Sequence, residues 1–274
     1  MAFSKKQVIQ YITQRRQNDG GFHFANIEPS NGSDTFYAVA TLTALGYEID
    51  KPEGIYSFFD QLAQEKETFD LTNVYYAVET LACLNYDTVT FRNGLDKQDL
   101  AKEFDPDNKH KQVYVDSVST LKSAFLVTSI CKTLNIRLED ARIPEFIFSY
   151  RNRDGGFGQG GNSNIPDTYF ALATLVNVGI TGAPVTTRNY LLADGEDLPG
   201  SFLEYIYWNF KSLTLLDIKP VYAKRLIKYL PNYQRINGGF ARSPFQGIPT
   251  FEDTYYAIVM IKELETLTGA KLLV

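Results

Sequence analysis

One phrase written three times constrains this chain more than any other feature. Asn18-Asp19-Gly20-Gly21-Phe22 precedes Asp34-Thr35-Phe36-Tyr37-Ala38, and Asp154-Gly155-Gly156-Phe157 precedes Asp167-Thr168-Tyr169-Phe170-Ala171. Asn237-Gly238-Gly239-Phe240 precedes Asp253-Thr254-Tyr255-Tyr256-Ala257. Phe22 and Phe157 lie 135 residues apart, and Phe157 and Phe240 lie 83 apart, or three steps of 45 and two of about 42. That period suits one helix–turn–helix unit. Degenerate copies are expected between them. Glu67-Thr68-Phe69 runs into Asn73-Val74-Tyr75-Tyr76-Ala77, Gly200-Ser201-Phe202 runs into Tyr205-Ile206-Tyr207, and Val113 precedes Asp116-Ser117. Six units of one period predict a single domain over residues 1–274.

Each unit pairs helices of two kinds. Residues 4–17 read as amphipathic, with Val8, Ile9 and Ile12 inward and Lys5, Lys6, Arg15 and Arg16 outward. The glycine pair Gly20-Gly21 is expected to stop that helix, because glycine supplies the positive φ used at helix C-termini. Residues 35–45 then carry no charge. A helix apolar all round must be covered all round. The alternation recurs: 51–65 is charged and 71–85 nearly uncharged, followed by a short helix expected over 97–103 and an inner helix over 115–133 interrupted by Lys122. Ile143, Phe146, Ile147 and Tyr150 form the stripe of an outer helix with Pro144 in its first turn. Residues 168–180, 201–216 and 254–261 read as inner helices, and 184–194 and a helix opened by Pro220, with Ala223, Leu226, Ile227 and Leu230 inward, as outer ones. The pattern predicts an all-α fold in which six hairpins close into two concentric rings. An open superhelical array is the alternative, and the apolar second helix of every unit favours closure.

Composition narrows the partners. A net charge of −5 without a basic cluster disfavours nucleic acid and anionic membrane. The longest uncharged run, 168–187, is broken by Asn177, Gly179, Gly182 and Pro184 and does not read as a membrane span. Met1-Ala2-Phe3-Ser4-Lys5-Lys6 leads into a polar helix without an apolar signal core. Cys83 and Cys131, the two cysteines, stand in apolar helical patterns and read as free thiols. These features predict a cytoplasmic protein.

The phrase D/N-G-G-F, a variable loop, then D-T-Y-Y/F-A opening an apolar helix resembles the prenyltransferase and squalene-oxidase repeat. That repeat builds the β subunits of protein farnesyl- and geranylgeranyltransferases and the toroidal domains of squalene–hopene-type cyclases. The resemblance covers essentially the whole chain and implies an α/α toroid. It implies zinc only where an Asp and a Cys two residues apart open the penultimate inner helix and a His in D-x-Y-H opens the last. Here Ile206 stands at the cysteine's place and Tyr256 at the histidine's, leaving Glu204 as the carboxylate. Without thiolate or imidazole no metal and no cofactor is expected. The two histidines, His23 and His110, lie outside the inner helices. The family's basic diphosphate pocket is also unmatched: Ile165-Pro166-Asp167-Thr168 and Leu198-Pro199-Gly200-Ser201-Phe202 carry no cation. Lys122, Lys211, Arg151, Arg153 and Arg242 remain as candidates, the arginines reading as loop or outer residues. The cyclase motif D-x-D-D has as its nearest phrases Asp105-Pro106-Asp107-Asn108 and Asp194-Gly195-Glu196-Asp197, in polar surroundings where burial would not raise a carboxyl pKa.

Two readings attach to the recurring carboxylates Asp34, Asp167 and Asp253. As catalytic groups they would form an acidic rim like that of carboxylate-pair glycosidases. As helix caps they would satisfy free backbone N–H groups, and their identical neighbours favour this role. Phe36, Tyr37, Tyr75, Tyr76, Tyr169, Phe170, Tyr205, Tyr207, Trp208, Tyr255 and Tyr256 gather at inner-helix starts. Some must be plain packing, and Tyr37, Tyr76, Tyr169, Tyr207, Trp208 and Tyr256 are the expected lining of a ligand cavity. The function expected is prenyltransferase-like or terpene-cyclase-like handling of an isoprenoid-like apolar ligand, with a partner subunit as a possible associate. The competing reading is a binding or scaffold toroid that has lost the family's chemistry.

Overall fold

The computed structural model describes residues 2–64, 70–86, 119–138, 142–194 and 201–274. The Glu67-Thr68-Phe69 phrase, the helix expected over 97–103, Asp105-Pro106-Asp107-Asn108, His110, the Val113 and Asp116-Ser117 copy, Gly195-Glu196-Asp197 and Gly200 lie outside them. The helices in chain order are α1 (Lys5–Thr13), α2 (Gly32–Ala44), α3 (Glu53–Gln64), α4 (Leu71–Cys83), α5 (Thr120–Thr133) and α6 (Ile143–Phe148). They continue with α7 (Ile165–Asn177), α8 (Val185–Asp194), α9 (Leu203–Leu215), α10 (Ala223–Tyr229) and α11 (Phe251–Thr268). A two-residue antiparallel pair, β1 (Phe240–Ala241) with β2 (Pro249–Thr250), brackets the last loop. Among the described residues no helix is long and apolar enough to cross a membrane.

Burial separates the two kinds of helix as their patterns predict. α1 buries Val8, Tyr11 and Ile12 along one stripe, whereas α2 buries every residue from Asp34 to Leu42 and α7 every residue from Asp167 to Leu175. Helix ends differ from expectation. α1 stops at Thr13, well before Gly20-Gly21. The glycines serve another purpose: Gly20, Gly155 and Gly238 hold φ near +95°, and each backs onto a main-chain carbonyl, of Gly54, Thr186 and Gln7, where no Cβ would fit.

The rest of the phrase is a hydrogen-bond device repeated three times. Phe22, Phe157 and Phe240 each donate their N–H to the hydroxyl of Thr35, Thr168 and Thr254 at 3.0 Å. Each threonine in turn donates to the carbonyl of the helix cap, Asn31, Asn164 or Thr250. An N–H in a buried aromatic residue thus finds its acceptor across the loop. This is why the two half-phrases travel together.

Contacts group the residues into two compact units. The first comprises Met1–Tyr86, Gly195–Tyr207 and Lys219–Val274, and the second Asp87–Asp194 and Trp208–Ile218. In the first, α2 packs between α4 and α11, with α1 and α3 against α2 and α10 against α11. The first and last inner helices are therefore neighbours. Tyr11 donates its hydroxyl to the Pro249 carbonyl at 2.8 Å, and Phe3 pairs with Leu273. In the second, α7 packs on α5 and α6. Cys131 is buried, Cys83 half-buried, and both are free; burial pushes each thiol up to about 11.

Candidate functional site

The inner helices are capped three residues before the recurring aspartates. Asn31, Asn164 and Thr250 are the N-caps, and their side chains accept the N–H of Asp34, Asp167 and Asp253 at 2.8–3.0 Å. The aspartates stand at the third helical position and accept from the cap side chain in return, at 2.8–3.0 Å. This is a reciprocal capping arrangement in which the carboxylate holds the cap itself. The expectation that the aspartates are the caps is corrected by one turn. Asp70 and Ser119 cap α4 and α5 in the same register, so Lys122 occupies the aspartate's place in α5.

Each carboxylate has further structural partners. Asp34 accepts the Phe24 N–H at 3.0 Å and has His23 at 3.9 Å, while Asp167 accepts the Ser119 hydroxyl at 2.6 Å. Burial raises the Asp34 carboxyl above its ordinary value. Burial likewise pushes Asp253 up to about 7, the Thr250 bond opposing it and the Glu252 and Glu204 charges adding to it. A carboxyl near 4 unfolded and near 7 folded binds its proton more tightly when folded. Its stabilising contribution is present below about pH 4 and lost as pH rises through 7. Asp253→Asn, which cannot ionise, is therefore expected to gain in melting temperature relative to wild type as pH rises from 5 to 8. A gap that stays constant or narrows over that range would remove the assignment.

The aromatic residues fall into two clusters, one in each unit. In the first unit, α2, α4, α9 and α11 contribute Phe36, Tyr37, Tyr75, Tyr76, Tyr207, Tyr255 and Tyr256. Tyr207 stacks on Tyr256 with centroids 4.1 Å apart, and Tyr37 contacts Tyr76, Tyr255 and Tyr256 at 5.5–5.9 Å. Glu252 joins them: Tyr37 and Tyr256 both donate their hydroxyls to its Oε1, at 2.9 and 2.7 Å, with the hydroxyls 3.4 Å from each other. Burial raises Tyr37 and Tyr256 well above the ordinary phenol value and pushes Tyr76 and Tyr255 up to about 12, the Glu252 charge adding at Tyr37, Tyr76 and Tyr256. These phenols keep their protons, so their hydroxyls act as neutral donors or acceptors and their rings stack. Tyr205 faces away from the cluster, 40% exposed.

In the second unit Trp208 lies against Tyr169 at 4.7 Å and Phe170 at 5.2 Å, and Phe125 contacts both α7 rings. The six expected lining residues are thus distributed as Tyr37, Tyr76, Tyr207 and Tyr256 in one unit and Tyr169 and Trp208 in the other. Sequence reasoning passed over Glu252. Its signal was a departure from the repeat, because Ser33 and Pro166 stand at its place in the other two full copies.

The positions pointed to for zinc do not fit the metal. Ile206 is a fully buried alkyl chain, and Tyr256 carries a firmly held phenol proton that it donates to Glu252. Among the described residues no three His, Cys, Asp or Glu side chains group as a metal site. The expected basic residues are spread out: Arg242 bonds Glu204 at 2.6 Å and covers the Phe202 ring, Arg151 bonds the Thr186 hydroxyl, and Arg153 is exposed.

Helical hairpins that alternate one-sided and all-round burial, with a D-T-aromatic start on the buried helix, define an α/α repeat protein. The family model described as prenyltransferase alpha-alpha toroid domain matches residues 2–197 and 189–272. The chain belongs to the prenyltransferase α/α toroid family, and its fold is the all-α toroid of that family. Among solved structures, Candida albicans protein geranylgeranyltransferase-I complexed with GGPP is similar, with a TM-score of 0.73 over 98% of this chain and 93% of that chain at 17% identity. At that identity the likeness is one of fold. Comparison with curated protein sequences finds no match.

Proposed function

We propose that the chain handles an isoprenoid-like apolar ligand, received by the aromatic second turns of its inner helices. The observation that carries this reading is the placement of rings along those helices. In α2 and α7 the second turn holds Phe36-Tyr37 and Tyr169-Phe170, and the turns beyond hold Ala, Val, Leu and Thr. Packing alone gives no reason for large rings to concentrate at one end of several helices, whereas an apolar chain laid across that end gains their faces. The fold neighbour complexed with GGPP supports the class of ligand. Tyr37, Tyr76, Tyr207 and Tyr256 form the candidate surface in one unit and Tyr169 with Trp208 in the other. Among the described residues no zinc donor set groups together, and the sequence contains no D-x-D-D phrase, so the proposal is of ligand handling and names no reaction.

A non-catalytic scaffold is the competing reading. It is favoured by the low exposure of Tyr37, Tyr207 and Tyr256, at 9, 4 and 2%, since rings packed on one another also serve as core. Trp208, the only tryptophan and half-buried against Tyr169 and Phe170, separates the two. Titration with farnesol or geranylgeraniol is expected to change its emission saturably, through apolar burial at about 25 cal/mol per Å² less the association cost. A flat response to both alcohols and to both diphosphates would transfer the assignment to the scaffold.

A further inference from the structure

We infer that residues 218–251 present a docking surface for an anionic lipid bilayer, with apolar loop tips entering the interface and the cations of α10 facing the headgroups. This goes beyond the isoprenoid reading and does not depend on it. A net charge of −5 disfavours an anionic surface for the chain as a whole, but the charge is unevenly distributed. The 34 residues from Ile218 to Phe251 hold six lysines and arginines and no acid, while the other 240 carry a net −11. The six are spaced along the chain rather than adjacent, so no basic cluster marks them in the sequence.

All of them from Lys219 onward lie in the first unit. Across α10 and the 3-10 turn after it (Leu230–Tyr233), Val221, Lys224, Arg225, Lys228, Tyr229 and Asn232 are all exposed. Steps of three and four place them on one helical face, while Ala223, Leu226 and Leu230 are buried on the other. The basic face is not a property of the repeat, because the outer helix α3 exposes Glu53 and Asp60. Arg235 ties the end of this stripe to the following loop, donating to the carbonyls of Asn232, Ser243, Gln246 and Gly247 at 2.6–3.4 Å. That loop carries Phe245 and Ile248, 88 and 67% exposed, and Ile236 beside Arg235 is fully exposed. Side chains so exposed touch almost nothing of their own chain and stand out singly. A folded partner would need a separate pocket for each, whereas a bilayer interface takes each without one. Cations attract the anionic headgroups that border such tips. Toward α11 the surface ends, because Glu204 pairs with Arg242 and Glu252 is exposed.

Co-sedimentation tests this with vesicles of phosphatidylcholine alone and of phosphatidylcholine with about one-third phosphatidylserine. The wild-type chain is expected to bind the anionic vesicles about tenfold or more tighter, and to lose that advantage between about 0.1 M and about 1 M salt. Lys224→Glu combined with Lys228→Glu is expected to abolish the preference. Phe245→Ser combined with Ile248→Ser is expected to weaken binding to the anionic vesicles about tenfold. No binding to the anionic vesicles, or equal binding to both compositions, would overturn the inference. So would binding that the serine variant leaves unchanged. Duplex DNA that outcompetes the anionic vesicles, equally well in wild type and in the serine variant, would reassign the surface to a polyanion and refute the bilayer. All four substituted side chains are exposed, and the wild-type preference with its salt dependence decides the matter even if a variant does not fold.

Discussion

Gly155→Ala is expected to remove about 3–5 kcal/mol of stability. The residue holds φ at +96°, and a Cβ there would come within 2.3 Å of the Thr186 carbonyl oxygen and 2.7 Å of the Thr187 nitrogen. Both are backbone atoms at the start of α8, so no side chain can rotate aside to make room. Gly179→Ala is the matched control: its φ is +87° but open space surrounds it. That variant carries the left-handed backbone cost alone, about 1–2 kcal/mol. For a chain of this size the difference between the two corresponds to roughly 2–4 °C in melting temperature per kcal/mol. Equal melting temperatures for the two variants would show that the close approach to α8 is not what fixes the turn.

The second large effect is expected from Thr168→Val, a loss of about 2–4 kcal/mol, measured by denaturant unfolding. Valine preserves the shape and removes an oxygen that makes two bonds, accepting from Phe157 N–H at 3.0 Å and donating to the Asn164 carbonyl at 2.7 Å. Phe157 is fully buried, so its N–H is left without an acceptor and beyond the reach of water. Thr168→Ser retains the hydroxyl and is expected to lose less than half as much. A valine variant as stable as the serine one would mean the hydroxyl bridge contributes nothing, and the pairing of the two half-phrases would need another cause.

That bridge explains what was legible in the sequence. Gly-Gly-Phe and Asp-Thr-aromatic recur in phase because Phe157 N–H and Thr168 are two ends of one bond, so the period and the hairpin unit follow from letters alone. The buried helices were legible for a similar reason, since α2 and α7 have no charge along most of their length. Helix starts were not. The capping side chain varies as Asn31, Asp70, Ser119, Asn164 and Thr250, while the conspicuous Asp34, Asp167 and Asp253 lie a turn further in. Lys122 in the aspartate's place hid the register of α5 altogether. The glycine pair read as a helix stop because positive φ is what helix ends use, yet here the same φ turns the loop onto the next outer helix. Glu252 was hidden because Ser33 and Pro166 stand at its place in the other full copies, and it became visible only when Tyr37 and Tyr256 were found donating to it. The division of the rings between two units depends on long-range contacts that no local pattern encodes.

The neighbouring of α2 and α11 has a consequence for how the chain assembles. The hydroxyl bond from Tyr11 to Pro249 spans 238 residues of sequence. The entropy of closing so long a loop grows only logarithmically, by about 0.6 kcal/mol for each doubling, so the intervening chain can lengthen or shorten with little effect on the equilibrium. Time is another matter, because contacts between distant segments form late and slow the search. The first unit draws residues from both ends of the chain, and α2 lacks one of its two flanking inner helices until α11 arrives. In that interval a helix built to be covered on every side presents an apolar flank to water. The price of closure is therefore a period of stickiness during folding, with self-association as the competing path.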